Sequence, residues 1–229
     1  MLREIGDWFA ALFVVSAITV ALLGVGEWLT ARSEADIVET TADAFTVAVD
    51  AGHGGFDGGA AGAATGTKEA GLNLCVAKYL EKKLAAYGIV VVMTREDDDA
   101  LGATKRKDLA QRKEIISHES IDLVVSIHMN KFSDTSISGA MAFYQQGSVE
   151  GQKLAQMVID EVCEATARKR RLANPGDYFI LRECACPAVL VECGFLSNAE
   201  EEQKLLDEAY LESIADAIAR GVLSYLGVT

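Results

Sequence analysis

Two histidines and two glutamates stand next to apolar runs that are typical of buried strands or to the start of a helical pattern. His53 lies three residues after the run TVAVD, and His128 directly follows the run DLVVSI. Glu192 ends the run AVLVE, Arg95 directly follows the run VVMT, and Glu69 lies at the start of a helical pattern. Because ligands gather at the carboxyl ends of strands in α/β sheets, we expect these side chains to meet at one edge.

Three of these residues predict a zinc site. Two imidazoles and one carboxylate are a ligand set typical of catalytic zinc, which keeps its fourth position open. We therefore expect one Zn2+ per chain, held by His53, Glu69 and His128. The segment from Val49 to Asn73 holds eight glycines. Such a loop can turn sharply after a strand and bring Glu69 back to His53, because glycine tolerates backbone conformations that other residues avoid.

The same residues allow other interpretations. The loop GHGGFDGG could cradle a phosphate, but it lacks the order GxxxxGK[ST] and matches GxGxxG only loosely. His53 and His128 could each be an ordinary hydrogen-bonded histidine, although their joint placement disfavours this. The third histidine, His118, lies in a charged helical pattern and is expected at the surface.

Alternating strand and helix patterns predict the elements that position these residues. Buried strands are predicted at 46–50, 89–94, 122–127, 139–144 and 188–192. Helices are predicted at 72–87, 104–118, 149–168 and 199–226, the last one with a break. The alternation predicts a single α/β domain with a mixed, largely parallel sheet flanked by helices.

Composition excludes some classes of protein. The chain has 229 residues, half of them hydrophobic, which argues against disorder. Its net charge of -13 argues against nucleic acid as a partner, because phosphate binding needs clustered Lys and Arg. The five cysteines form no pair of CxxC motifs, so most are expected to be small core residues. Cys184 and Cys186 alone are a weak signal for a disulfide or a metal half-site.

The N-terminus differs from the rest of the chain. Residues 8–26 carry no charge and are nearly long enough, at about 1.5 Å each, to cross a hydrocarbon core of roughly 30 Å. Trp8 and Trp28 bracket the run, as interfacial aromatics do. We expect a membrane anchor at 1–28, with a signal sequence as the alternative, then a linker at 29–44 and a catalytic domain at 45–229. The default orientation places that domain outside the cytoplasm.

Five motifs occur along the chain in a fixed order: VDAGHGGFDGGAAG, EAGLNL, MTRED, DLVVSIHMN and PAVLVECGFLSN. Together they resemble the zinc-dependent N-acetylmuramoyl-L-alanine amidases of bacterial cell-wall hydrolysis, and they span roughly residues 46–226. The resemblance implies that His53, Glu69 and His128 hold the zinc and that Glu192 is the catalytic carboxylate. It also implies an α/β sheet flanked by helices.

The chain departs from the family pattern at two places. Asp50 is followed by alanine where the family often has Asp-Pro, and the stretch from Arg112 to Ser117 replaces Arg-x-x-x-Ala-Asn. Neither change touches a predicted ligand. The interval between His128 and Glu192 looks too short for the inhibitory helix of larger relatives. A short, anchored form resembles the sporulation amidases that act on spore cortex.

The resemblance implies hydrolysis of the amide that joins N-acetylmuramic acid to L-alanine in peptidoglycan. Zinc would lower the pKa of bound water from about 15.7 towards about 7 and polarise the scissile carbonyl. Glu192 would take the proton of that water and pass it to the leaving amine. Arg95 and Asn130 are candidate substrate-binding residues. The alternatives are that Arg95 pairs with an aspartate at 97–99 and that Asn130 caps a turn.

Two competing functions use the same residues. A zinc carboxypeptidase acting on the stem peptide shares the ligand set, and only the product separates it from an amidase. A non-catalytic wall-binding module would hold zinc for structure and would need a fourth ligand, such as Cys186 or Cys193. An activating protein partner, and a sporulation or vegetative role, stay open at this point.

Overall fold

Six strands form one mixed sheet in the computed structural model, which describes residues 44–228. The strands are β1 Thr46–Ala51, β2 Val90–Met93, β3 Leu123–Asn130, β4 Met141–Gln145, β5 Asn174–Gly176 and β6 Ala188–Phe195. Their order across the sheet is β2-β1-β3-β6-β4-β5. The pairs among β2, β1, β3 and β6 are parallel, whereas β4 runs antiparallel to β6 and parallel to β5. The predicted mixed, largely parallel sheet is confirmed.

Six helices in the described part of the chain cover both faces of this sheet. They are α1 Glu69–Ala85, α2 Lys105–Ile116, α3 Val149–Ala165, α4 Phe179–Arg182, α5 Ala199–Leu205 and α6 Glu208–Leu226. Helices α1, α3 and α6 share a core with one face of the sheet, and α2 and α4 share a second core with the other face. The predicted α/β class with flanking helices is confirmed.

The central strands are apolar on both faces because helices cover both. Val47 and Val49 of β1 pack into the α1, α3 and α6 core, whereas Ala48 packs into the opposite core. Successive side chains of a strand point to opposite faces, so a doubly covered strand needs apolar residues throughout. All eight residues of β6, Glu192 included, are buried.

Local signals set the helix ends. Helix α1 buries Leu72, Val76, Leu80 and Leu84, which recur every four residues along one face. The predicted break in 199–226 is confirmed, because α5 ends at Leu205 and a new helix begins at Glu208. The carboxylate of Asp207 accepts a hydrogen bond from the backbone N–H of Ala209 and so caps α6.

Two strands extend beyond their predicted ends. β3 continues to Asn130 rather than ending at 127, and β6 continues to Phe195 rather than ending at 192. His128 pairs with Glu192 in this extension, and Asn130 pairs with Phe195 after a register shift. Polar side chains do not end these strands, because backbone pairing continues past them. The short β5 and α4 were not predicted, since elements of three and four residues carry no readable periodicity.

No helix within residues 44–228 is long and apolar enough to cross a bilayer. The predicted membrane anchor at 1–28, and nearly all of the predicted linker at 29–44, lie outside the described residues.

Candidate metal centre

The end of β1 brings His53 to the edge of the sheet. His53 has a left-handed backbone with φ of 61°, a conformation that costs a residue with a side chain on the order of 1 kcal/mol. Gly52 precedes it, and a Cβ placed there would lie only 2.2 Å from Cε1 of His128. Glycine is therefore required at position 52, where the chain that follows β1 passes next to the imidazole of His128 in β3.

Glu69 lies between the two histidines. It is the first residue of α1 and is 3% exposed. Its Oε1 is 3.2 Å from Nε2 of His53 and 2.8 Å from Nδ1 of His128. One ligand atom from each of the three residues lies within 4.8 Å of the other two. The structure therefore brings together His53, Glu69 and His128, which were predicted as a ligand set.

Hydrogen bonds fix the orientation of the Glu69 carboxylate. Its Oε2 accepts from the backbone N–H of Ala60 at 2.7 Å, and its Oε1 accepts from the backbone N–H of Met129 at 3.1 Å. Asn73, one turn later in α1, donates to Oε1 of Glu69 at 3.2 Å and to the carbonyl of Gly52 at 3.0 Å. Burial alone would raise the pKa of Glu69, but the contacts with His128 and His53 hold that pKa well below its usual range.

Asp57 orients His53 from the other side of the ring. Nδ1 of His53 lies 3.1 Å from Oδ1 of Asp57, whose Oδ2 pairs with Nζ of Lys105 at 3.2 Å. Burial would lower the pKa of His53, but hydrogen bonds and charge from Glu69 and Asp57 raise it above its ordinary value. Histidines that bind a metal through one ring nitrogen commonly donate a hydrogen bond from the other to a carboxylate. The contact of Nδ1 with Asp57 therefore leaves Nε2 of His53 available for a metal.

Glu192 lies beside the histidines without belonging to the ligand cluster. It is adjacent to His128 in the parallel pairing of β3 and β6, and it is 8% exposed. Among the described residues no hydrogen-bond partner reaches its Oε2. Burial raises the pKa of Glu192 to about 7, an effect that the histidines oppose and Glu69 supports. A carboxyl group poised near neutral pH is suited to proton transfer.

A cavity of about 420 Å³ opens over these residues and provides room for a substrate. Its lining includes the three predicted metal ligands and Glu192, and Lys105 and Lys131 add positive charge. One wall is largely apolar and is built mainly from the unpredicted α4 region and from β6: Tyr178, Phe179, Ile180 and Leu190. A concave site with an apolar wall and a few convergent polar groups is typical of ligand pockets.

Comparison with known proteins identifies the family. Residues 47–224 match the family model described as N-acetylmuramoyl-L-alanine amidase. The chain belongs to the N-acetylmuramoyl-L-alanine amidase family. The resemblance read from the five motifs is therefore confirmed.

Individual relatives agree with this assignment. The germination-specific N-acetylmuramoyl-L-alanine amidase of Bacillus subtilis (strain 168) is 35% identical over 190 residues, which cover 77% of this chain and 78% of the relative. The CwlD amidase from Clostridioides difficile, solved in complex with the GerS lipoprotein, is 37% identical with a TM-score of 0.77. That match covers 81% of this chain and 100% of the relative. The catalytic domain of the CwlV amidase from Bacillus (Paenibacillus) polymyxa is 34% identical, with a TM-score of 0.74 over 81% of this chain and 99% of the relative.

The two candidate substrate-binding residues of this amidase have different surroundings. Asn130 ends β3 and lines the cavity, so contact with a substrate stays a proposal for it. Arg95 is 3% exposed and does not line the cavity. Its guanidinium donates to backbone carbonyls, including that of Asp97 at 2.7 Å rather than the Asp97 carboxylate. This environment supports a role within the fold and offers no support for substrate contact by Arg95.

Within the described residues, the cysteines lie outside the predicted ligand cluster. All five are free thiols, and the ligand cluster found in residues 44–228 contains none of them. Cys193 is buried and packs in the α1, α3 and α6 core, as expected for a strand neighbour whose side chain points away from that of Glu192. Cys184 and Cys186 pack against the opposite core, and Sγ of Cys184 donates to the carbonyl of Ile180 at 2.9 Å.

Two residues that contact the predicted ligands were not predicted from the sequence. Asp57 is the only charged residue between His53 and Lys68, which is a signal that could have identified it. Asn73 follows Glu69 by four residues, the spacing that places two side chains on one face of a helix.

Proposed function

We propose that this chain hydrolyses the amide between N-acetylmuramic acid and L-alanine in peptidoglycan, with one zinc ion per chain. The observation that carries the proposal is the placement of His53, Glu69 and His128 with ligand atoms within 4.8 Å, next to the free carboxyl of Glu192. The assignment to the amidase family supports the choice of bond.

The residues present fit zinc. Two imidazole nitrogens and one carboxylate oxygen are a three-ligand set that zinc enzymes use, and the cavity leaves an open side for water and substrate. The far nitrogen of His53 is already bound to Asp57, which fixes the ring for binding through Nε2. The low pKa of Glu69 keeps its carboxylate ionised, as a ligand must be.

Glu192 is proposed as the residue that moves protons. Zinc, when bound, acts as a Lewis acid that acidifies water and polarises the scissile carbonyl. Glu192 removes a proton from the attacking water and delivers it to the nitrogen of the leaving L-alanine. A bound cation nearby favours the ionised form that starts this sequence. Since Oε2 has no partner among the described residues, no competing hydrogen bond has to be broken first.

We further propose that Asn130 and the cavity wall hold the substrate. The amide of Asn130 can both donate and accept hydrogen bonds, as a glycopeptide substrate requires. Its Oδ1 accepts from the backbone N–H of Lys131 at 2.8 Å, and within residues 44–228 the hydrogen-bond partner of its Nδ2 is the Met141 sulfur, at 3.8 Å. That weak contact leaves Nδ2 free to donate to a substrate carbonyl.

The proposed location is outside the cytoplasm, where peptidoglycan lies, with the catalytic domain held near its substrate by an anchor at 1–28. A role in spore cortex is proposed because relatives include a germination-specific amidase. We also propose an activating protein partner, because the C. difficile relative was solved in complex with a lipoprotein.

The test is mass spectrometry of purified peptidoglycan after digestion by the full chain, purified in detergent with added zinc. Stem peptides that begin with L-alanine are expected from the wild type and from Glu200→Gln, an exposed glutamate that serves as the matched control. Those peptides should disappear with Glu192→Gln. Loss of terminal amino acids alone would instead identify a carboxypeptidase. If the chain binds one zinc ion but releases no product, the result would rule out an amidase that acts without a protein partner.

A further inference from the structure

Two buried arginines surround the turn that carries His53. Arg112 of α2 is 2% exposed, and Arg95, just after β2, is 3% exposed. Arg112 donates from Nη1 to the carbonyl of Ala51 at 2.8 Å and from Nη2 to the carbonyl of His53. Arg95 donates from Nε to the same Ala51 carbonyl at 2.8 Å and from Nη2 to that of Gly52 at 3.1 Å. Three consecutive carbonyls are thus bound by guanidinium groups.

These contacts lie at a strained part of the backbone, where His53 has a positive φ. His53 keeps its left-handed conformation only if its surroundings determine it, because an isolated residue with a side chain would leave that region. A guanidinium group is a rigid, planar fork that can hold several oxygens at once in fixed directions. Two such groups on residues 51–53 therefore set the direction in which the imidazole of His53 leaves the strand end.

Carboxylates in turn hold Arg112 in place. Nη1 of Arg112 lies 2.6 Å from Oδ1 of Asp50, and Nε lies 2.8 Å from Oδ2 of Asp108. Asp50 also accepts from the hydroxyls of Thr94 at 2.9 Å and Ser126 at 2.6 Å. A buried ion pair whose remaining positions are hydrogen-bonded in this way is rigid, because breaking any contact would leave a buried charge unpaired.

Arg95 connects the same turn to the second ligand. Its Nη2 also donates to the carbonyl of Ala70 at 2.7 Å, and Ala70 follows Glu69 at the start of α1. The position of the Glu69 carboxylate relative to His53 therefore depends on Arg95 as well as on α1 itself.

We propose that Arg112 and Arg95 are positioning residues for the metal centre. Arg112 holds the backbone of His53, and Arg95 holds that turn against the helix start that carries Glu69. This inference rests on the zinc site proposed above. Both guanidinium groups act through backbone carbonyls, so their loss should weaken zinc binding while the ligand side chains stay present.

Zinc affinity of the full chain, measured by competition with a coloured chelator, tests the proposal. Arg112→Lys and Arg95→Lys keep the charge, but one ammonium cannot span the carbonyls that the fork joins. We expect each variant to bind zinc about 10- to 100-fold more weakly than the wild type. Arg168→Lys is the control for loss of an arginine–carboxylate pair away from the predicted ligands. The Arg168 side chain is 35% exposed, and its Nη2 pairs at 3.0 Å with Glu201, which is as buried as Asp50. The zinc affinity of Arg168→Lys should stay within about threefold.

Denaturant unfolding of the metal-free proteins separates positioning from general stability. Arg112→Lys and Arg168→Lys are both expected to lower the unfolding free energy, but only the former should weaken zinc binding. Unchanged affinity in folded Arg112→Lys and Arg95→Lys, within about threefold, would overturn the proposal. If Arg112→Lys fails to fold, Asp108→Asn takes its place, since it removes one charged partner of Arg112. Unchanged zinc affinity in that variant would overturn the role proposed for Arg112. A wild type that binds no zinc would instead refute the zinc site itself.

Discussion

Replacing Glu192 with glutamine should stabilise the metal-free protein. The same change should abolish most of the activity of the zinc-loaded protein on peptidoglycan. The carboxyl of Glu192 is buried, and its Oε2 lacks a hydrogen-bond partner among the described residues. Burial raises its pKa from an ordinary 4.5 to about 7. That rise corresponds to about 3 kcal/mol by which the folded protein disfavours the ionised form.

The sign of the pH dependence follows from the raised pKa. Between pH 4.5 and about 7 the folded protein keeps a proton that the unfolded chain has lost, so the unfolding free energy falls as pH rises through this window. Glutamine does not ionise. We expect Glu192→Gln to be more stable than the wild type by about 1 to 3 kcal/mol at pH 8, the lower figure allowing for desolvation of the buried amide.

Urea unfolding of the metal-free full chain at pH 8 and pH 5 measures this effect. The gain at pH 8 should exceed the gain at pH 5 by about 2 kcal/mol, and the exposed Glu200→Gln should show no such difference. Activity on peptidoglycan should fall by about 10²- to 10⁴-fold, the usual contribution of a general base. A variant that is less stable at pH 8, or one that gains equally at both pH values, would refute the argument from burial.

Three further perturbations test the centre and its scaffold. Removing zinc should lower the unfolding free energy by about 2.7 kcal/mol relative to protein in free zinc at 100 times its Kd, and calorimetry should show no such difference for His128→Ala. Gly52→Ala should no longer bind one zinc per chain in metal analysis, because the added Cβ would lie 2.2 Å from the His128 ring. At Gly71 an added Cβ would have no atom within 4 Å, so Gly71→Ala should stabilise α1 by about 0.5 to 1 kcal/mol in urea titration. Leu80→Ala, fully buried in the core, should lower the unfolding free energy by about 2 to 5 kcal/mol in the same titration.

The amino-acid sequence determined the α/β class and the meeting of the ligand residues. Both depend on local patterns, namely valine-rich strands, amphipathic helices and polar residues that follow strands. His53 and His128 come together because parallel strands end at one edge of the sheet, a rule that needs no knowledge of distances. Glu69, at the start of α1, reaches the same edge through the glycine-rich loop. The motifs carried the family assignment for a similar reason, since three of the five combine strand residues with the residues directly after them, a fourth, DLVVSIHMN, ends with β3, and the fifth, EAGLNL, begins α1.

Only the tertiary structure decided how the ligands are held and what surrounds them. Arg112 reaches the carbonyl of His53 from 59 residues away, and Asp50 pairs with Arg112 across 62 residues. The hydrophobic periodicity of the sequence does not predict such contacts, because they arise from the packing of α2 against the end of β1. The same holds for Arg95: its charge left both substrate contact and pairing with an aspartate open, and only the structure gives its partners, which are backbone carbonyls. Local sequence sets which elements form, whereas contacts between distant elements set where each side chain finally points.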